Sequence, residues 1–215
     1  MAEIRQGILG GFTGRVGPVS GFRRNGRDLM RSATSTVTDK PTPARVAQRE
    51  KVKVCNAFIN AFSGTGIFAR TFPDPNHGGS GYNRAMKVLM NSALTGRYPH
   101  YEILYDKFLI SKGELPVAEN AAVTLDAAGN SVFSWMDNST DGTAKTNDKT
   151  VLVAWFPEKQ IQLAWSLDAA ERAAGTATLT IPAENKGAVA ETWIGFVSAD
   201  GQIASNSVYT GRLEV

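Results

Sequence analysis

Val132-Phe133-Ser134-Trp135-Met136, then a polar loop from Asp137 to Asp148, then Val151-Leu152-Val153-Ala154-Trp155-Phe156: this stretch decides the fold. Phe133 and Trp135 share one face of the first segment, and Val151, Val153 and Trp155 share one face of the second, the period-two signature of strands. The same chemistry continues on both sides. Upstream, Val123–Leu125 leads into a Gly129-Asn130 turn. Downstream, Pro157-Glu158-Lys159 makes a tight connection into Ile161–Trp165, followed by Thr176–Ile181, Thr192–Val197 and Ile203–Tyr209. Asp200-Gly201 between the last two is a hairpin signal. Seven short strands across about 100 residues predict an immunoglobulin-like or fibronectin-like β-sandwich over residues 117–215.

Residues 42–116 read differently. Thr42 suits an N-cap and Pro43 the first helical position. Ala47, Cys55, Phe58 and Phe62 then form one apolar stripe, which Gly64 and Gly66 end. Beyond the loop-like run from Phe72 to Gly81, a second helix is expected from Tyr82 to Leu94, with Met86, Leu89, Met90 and Ala93 buried. A strand is expected from Ile103 to Ile110. The fold class is therefore α+β, mainly β, with two helices ahead of the sandwich and packed on it.

Residues 1–41 form the third section, a basic, glycine-rich arm and linker. Seven of the twenty residues from Gly7 to Gly26 are glycine, yet Ile8, Leu9, Phe12, Val16, Val19 and Phe22 are too apolar for a solvated linker. Ordering so flexible a segment requires substantial contacts, which these side chains can make by docking in extended form. Residues 1–50 carry nine Lys/Arg against four acids, leaving −2 for the rest of a chain whose total is +3. Ile8, Leu9, Phe12, Val16 and Phe22 are thus the candidate assembly residues, with Arg15, Arg23 and Arg24 as electrostatic partners.

Catalytic chemistry finds little support. One cysteine, Cys55, excludes an internal disulfide or a multi-cysteine metal site, and two histidines, His77 and His100, leave little for acid–base work. His77 has only Asp74 nearby and reads as a loop residue. The glycines from Gly7 to Gly17 lack the preceding strand of a phosphate loop, and Pro18 interrupts the helix that such a loop would need after it. Asp137-Asn138-Ser139-Thr140-Asp141-Gly142 and Asn147-Asp148 are rich in oxygen ligands but lack the terminal glutamate of an EF-hand loop, and turn chemistry explains them. The four tryptophans, Trp135, Trp155, Trp165 and Trp193, fit a sandwich core better than a sugar platform. No cofactor, metal or catalytic residue is assigned, and an enzyme is not expected.

The Gln6–Gly17 run, Gln-Gly-Ile-Leu-Gly-Gly-Phe-Thr-Gly-Arg-Val-Gly, resembles the N-terminal signature of a family of uncharacterised Bacteroidota proteins of about this length. Gln48-Arg49, Ile110-Ser111-Lys112-Gly113, Trp193–Ser198 and Tyr209-Thr210-Gly211 are similar too, so the resemblance spans nearly the whole chain. It implies a bacterial or phage origin and carries over no catalytic residue. The expected function is a structural subunit of a larger particle (filament, tube or virion component) whose arm docks on neighbouring subunits. The alternative is a surface-binding module that takes glycan or protein on the sandwich. Homo-oligomers or other structural subunits are the expected partners. The cluster Arg23, Arg24, Arg27 and Arg31 beside Phe22 is read as solvated charge or ion-pair partners in preference to a nucleic-acid site. Neither a signal peptide nor a membrane span is read, which favours a cytoplasmic or virion-associated place.

Overall fold

The glycine-rich start of the chain does not run as a single extended arm: it pairs with itself. In the structure, a computed structural model, residues 3–4, 10–24, 26–33, 40–73, 79–159 and 163–215 are described. Strands β1 (Glu3–Ile4), β2 (Phe12–Val16), β3 (Val19–Arg24) and β4 (Arg27–Ser32) form one antiparallel sheet in that order. Two-residue turns make this possible. Val16 pairs with Val19 around Gly17-Pro18, and Arg24 pairs with Arg27 across a second turn that includes Gly26. Gly17 at φ 57° and Gly26 at φ 76° supply the left-handed backbone that such turns need. Residues 1–42 make one compact unit and residues 43–215 another.

In the larger unit, helix α1 (Pro43–Asn60) starts at the proline, as its capping chemistry predicts. A short helix α2 (Ile67–Thr71) follows, and α3 (Gly81–Val88) runs into one π-helical turn, Leu89–Ala93. Ser80 caps α3, its hydroxyl accepting from the Asn83 amide at 3.3 Å. A small hairpin, β5 (Leu94–Arg97) and β6 (His100–Ile103), turns through Tyr98-Pro99.

The strand expected from Ile103 to Ile110 is not there. That segment holds a 3-10 turn, Tyr105–Lys107, followed by irregular backbone. Side chains satisfy its polar groups instead of a ladder. Trp193 Nε1 donates to the carbonyls of Tyr105 (3.2 Å) and Phe108 (3.1 Å), Thr71 Oγ1 donates to Ile110 O (2.7 Å), and the Ile110 amide donates to Ser207 Oγ (2.9 Å).

The remaining strands are β7 (Glu119–Leu125), β8 (Ser131–Met136), β9 (Lys149–Trp155), β10 (Leu163–Ser166), β11 (Thr176–Leu179), β12 (Val189–Val197) and β13 (Val208–Glu214). They form two antiparallel sheets, β11-β8-β7 and β10-β9-β12-β13. The chain is thus mostly β, with several antiparallel sheets and few helices. The last strand starts five residues later than the hairpin signal implies. Asp200-Gly201 does turn the chain, but the amide of Ser198 donates to Ile203 O (2.9 Å) and the backbone then crosses to residues 110–115 before β13 begins.

One core lies between the two sheets: Phe133 and Trp135 meet Leu152, Ala154, Ile194 and Phe196. A second lies on the other face of the four-stranded sheet, where Val151, Val153, Trp155, Trp193 and Val197 meet Phe58, Ile59, Phe62, Phe68 and Leu89. Strands β9 and β12 are therefore covered on both faces, which is why they read as almost unbroken apolar runs. Strand β8, covered on one face only, alternates cleanly.

Candidate interaction surface

The described candidate assembly residues, Phe12, Arg15, Val16, Phe22, Arg23 and Arg24, fall on the N-terminal sheet, and strand register sorts them onto two faces. Opposite residues in an antiparallel ladder share a face, and neighbours along a strand alternate. Gly14 pairs with Gly21 and Gly21 with Met30; Val16 pairs with Val19 and Val19 with Ser32. One face therefore carries Phe12, Val16, Val19, Arg23, Asp28 and Met30. The other carries Arg15, Ser20, Phe22, Arg24, Arg27, Leu29 and Arg31, with Thr13 and its register partner Glu3 toward the β1 edge. Ile8 and Leu9 lie outside the described residues, as do Asp74 and His77.

The first face is apolar with one ion pair. Phe12 lies across Gly21, where a Cβ would collide with its ring and carbonyl, so the glycine makes room for the aromatic. Val16 is 53% exposed and Met30 71% exposed. Arg23 Nε sits 3.9 Å from Asp28 Oδ1, and its Nη2 donates to Gly26 O at 3.4 Å. Arg23 is thus exposed and makes its described contacts within its own hairpin.

The second face is cationic. Arg15 Nε donates to Gly17 O (3.1 Å), and the Arg31 guanidinium lies 5.5 Å from the centre of the Phe22 ring. Among the described residues no carboxylate pairs with Arg15, Arg24, Arg27 or Arg31. Met30, Leu29, Arg27 and Arg31 are absent from the residues chosen on sequence for this surface. The signal that finds them is Asn25-Gly26, which makes residues 27–32 the return strand of a hairpin.

The larger unit offers weaker material. A cavity of about 520 Å³ opens between α1 and β9, over the small side chains Ala57 and Ala61 and beside Tyr105 and Trp155. Burial pushes the Tyr105 phenol up, against a smaller lowering contribution from the Trp155 indole beside it. Nearby, Tyr209 donates to Glu191; burial first, and that bond second, raise the Tyr209 phenol above its ordinary range. The oxygen-rich Asp137–Asp148 loop is occupied by protein: Arg172 binds both Asp148 Oδ2 (3.1 Å) and Asn138 Oδ1 (2.7 Å). Among the described residues no group of three or more His, Cys, Asp or Glu is placed to hold a metal. No helix among them is long and apolar enough to cross a membrane.

With this geometry in view, a protein-family comparison matches residues 11–211, almost the entire chain. The chain belongs to DUF6266, a family of unknown function. The DUF6266 match takes in β2, β3 and β4 together with all of α1 through β12, so the N-terminal sheet and the larger unit both lie within it. It begins at Gly11, within the Gln6–Gly17 signature. No curated protein and no solved structure matches the DUF6266 chain.

Proposed function

We propose that this protein is a non-enzymatic structural subunit whose N-terminal sheet docks on neighbouring copies in a larger bacterial or phage particle, such as a filament, tube or virion component. The observation that carries this reading is β4. Every residue of that strand is exposed, and it stands at the sheet edge with no strand on its outer side among the described residues. An open edge beside exposed Met30 and Val16 favours strand addition by another chain. Arg27, Asp28 and Arg31 on the same strand restrict that pairing to a charge-matched partner and discourage indiscriminate aggregation.

The larger unit, in this reading, is the body of the subunit, with an immunoglobulin-like or fibronectin-like plan. Its first, second and fifth strands share one sheet, and its third, sixth and seventh share the other. The fourth, β10, pairs with the third instead of extending the first sheet. Trp135 on the second strand meets Phe196 on the sixth, ring centroids 5.8 Å apart, where antibody domains place an inter-sheet disulfide.

Light scattering and negative-stain electron microscopy of the full-length protein and of Met30→Lys test the proposal. Discrete oligomers or filaments from the parent, lost in Met30→Lys, are expected; two monomeric proteins refute self-assembly through this sheet. A second reading, glycan recognition on the β-sandwich, rests on Trp165, the one tryptophan of four with substantial exposure (40%). It requires glycan affinity that Trp165→Ala abolishes and Met30→Lys spares.

A further inference from the structure

The basic face of the N-terminal sheet is arranged in rows. Arg15, Ser20 and Arg31 make one, with Arg15 opposite Ser20 and Ser20 opposite Arg31. Phe22 and Leu29 make the next, and Arg24 and Arg27 the third. Two cationic rows thus bracket a half-buried aromatic ring. Rows two residues apart are separated by about 7 Å, so the outer rows stand about 14 Å from each other.

Arg24 and Arg27 are directly opposite each other in the ladder. Like charges in that relation destabilise a hairpin. A carboxylate between them would relieve the repulsion, yet Asp28, the acid next along the strand, points to the other face and is taken by Arg23. The sheet therefore keeps an uncompensated cationic pair at the end of a hairpin and a second pair, Arg15 and Arg31, around the same ring. Among the described side chains of the sheet none supplies a compensating anion, so a bound anionic ligand would relieve the repulsion.

An aromatic ring between rows of guanidinium groups is the arrangement that takes single-stranded nucleic acid: phosphates neutralise the arginines while a base stacks on the ring or on a guanidinium plane. Arg31 already lies over Phe22, so a guanidinium plane and an aromatic face are offered together. An acidic protein strand would satisfy the charges but would leave Phe22 and Leu29 without a planar apolar partner. We infer that this face, Arg15, Phe22, Arg24, Arg27 and Arg31, binds single-stranded nucleic acid. The inference goes beyond the assembly role and does not need it: the apolar assembly residues Val16 and Met30 lie on the opposite face, while Arg27 and Arg31 of β4 belong to both surfaces.

The test is fluorescence anisotropy of a labelled oligodeoxythymidine against the full-length protein across a salt titration. Four phosphate contacts on a single strand predict a log–log salt slope of about −3. Arg24→Ala/Arg27→Ala is expected to weaken binding about tenfold or more at low salt and to reduce the slope by about 1.4. Arg24→Lys/Arg27→Lys, with the charge kept, should hold most of the affinity, and Arg23→Ala on the other face should change it little. Phe22→Trp should bind with its fluorescence quenched by stacking. The inference is overturned by an absence of salt-dependent binding in the full-length protein, by equal losses from Arg23→Ala and the double alanine variant, or by competition from polyglutamate as effective as that from unlabelled oligonucleotide. Anionic vesicles that bind more tightly than the oligonucleotide overturn it too. Binding that survives in Met30→Lys separates this surface from the assembly surface.

Discussion

Arg172 sits with no exposure at the end of the sandwich core and is held from every side. Its Nε meets Asp148 at 3.1 Å, its Nη1 donates to Asn138 at 2.7 Å, its Nη2 donates to the Pro116 carbonyl at 3.1 Å, and its guanidinium lies 3.8 Å from the centre of the Phe196 ring. Its own carbonyl accepts from the Trp135 indole at 2.7 Å. Burial pulls the guanidinium pKa down and Asp148 opposes it, so the charge persists because the pair persists. Replacing one member leaves the other as a buried, unpaired charge. Arg172→Met should therefore lower unfolding free energy by about 3–5 kcal/mol in urea denaturation, and Arg172→Met/Asp148→Leu should recover much of that loss. Asp126 gives a second test. The Asn130 backbone amide and side-chain amide, with the Ala128 amide, donate to its carboxylate at 2.8–3.0 Å and hold it below its ordinary value of 3.8. A carboxyl lowered in the fold adds stability above its unfolded pKa and loses it as pH falls through the folded one. Asp126→Asn should consequently flatten the fall of the melting temperature as pH drops below the ordinary carboxylate value of 3.8, measured against the parent. None of the Arg172 cluster is visible in sequence. Asp148, Asn138 and Arg172 are separated by loops whose composition signals only turns, and their meeting depends on the sheet packing.

Elements with local chemistry are legible in the sequence. Pro43 starts α1 because its fixed φ suits a first helical turn, and β8 shows its buried and exposed faces because one side meets solvent. Two elements are not. Residues 103–110 carry enough apolar side chains for a strand, but their backbone is captured by Trp193 and Thr71, partners distant in sequence. The β3–β4 hairpin is legible in principle, since the sequence Asn25-Gly26 is a hairpin-turn signal, but the glycine content of residues 7–26 signals flexibility more loudly than pairing. The turn itself is open to experiment. Gly26 holds φ 76°, and a branched residue there must adopt the left-handed region at a cost of about 1–2 kcal/mol or more. Gly26→Val should speed amide hydrogen exchange across residues 12–32 without altering exchange in residues 43–215. Because Arg24 and Arg27 face each other only when this turn closes, the same change should also weaken nucleic-acid binding. Faster exchange throughout the chain would mean that the two units are not independent.

For the whole molecule, the decisive feature is the central strand pair β9–β12, buried on both faces. The change of pattern near residue 117 marks where helices give way to strands, but the hydrophobic core runs through it. Phe58 stacks edge-on against Trp155 with ring centroids 5.3 Å apart, while Leu152 on the same strand packs toward Phe133. A defect in either layer must therefore reach the other through β9 and β12. Phe58→Ala empties part of the outer core and should cost about 3–5 kcal/mol; Phe133→Ala, in the core between the sheets, should cost about the same. Both should shift a single transition. Among the described residues neither core contains anything before Cys55, so a chain of residues 43–215 should fold alone with that transition unchanged. Far-ultraviolet and near-ultraviolet circular dichroism distinguish the outcomes. The helices dominate the first signal, and Trp135, Trp155 and Trp193, spread over both cores, report in the second. A shared wall requires coincident melts in the parent, in residues 43–215 and in both alanine variants. A helical signal that melts ahead of the tryptophans in Phe58→Ala would show that the helical layer is only docked on the sandwich, and the common core would not be a single cooperative unit.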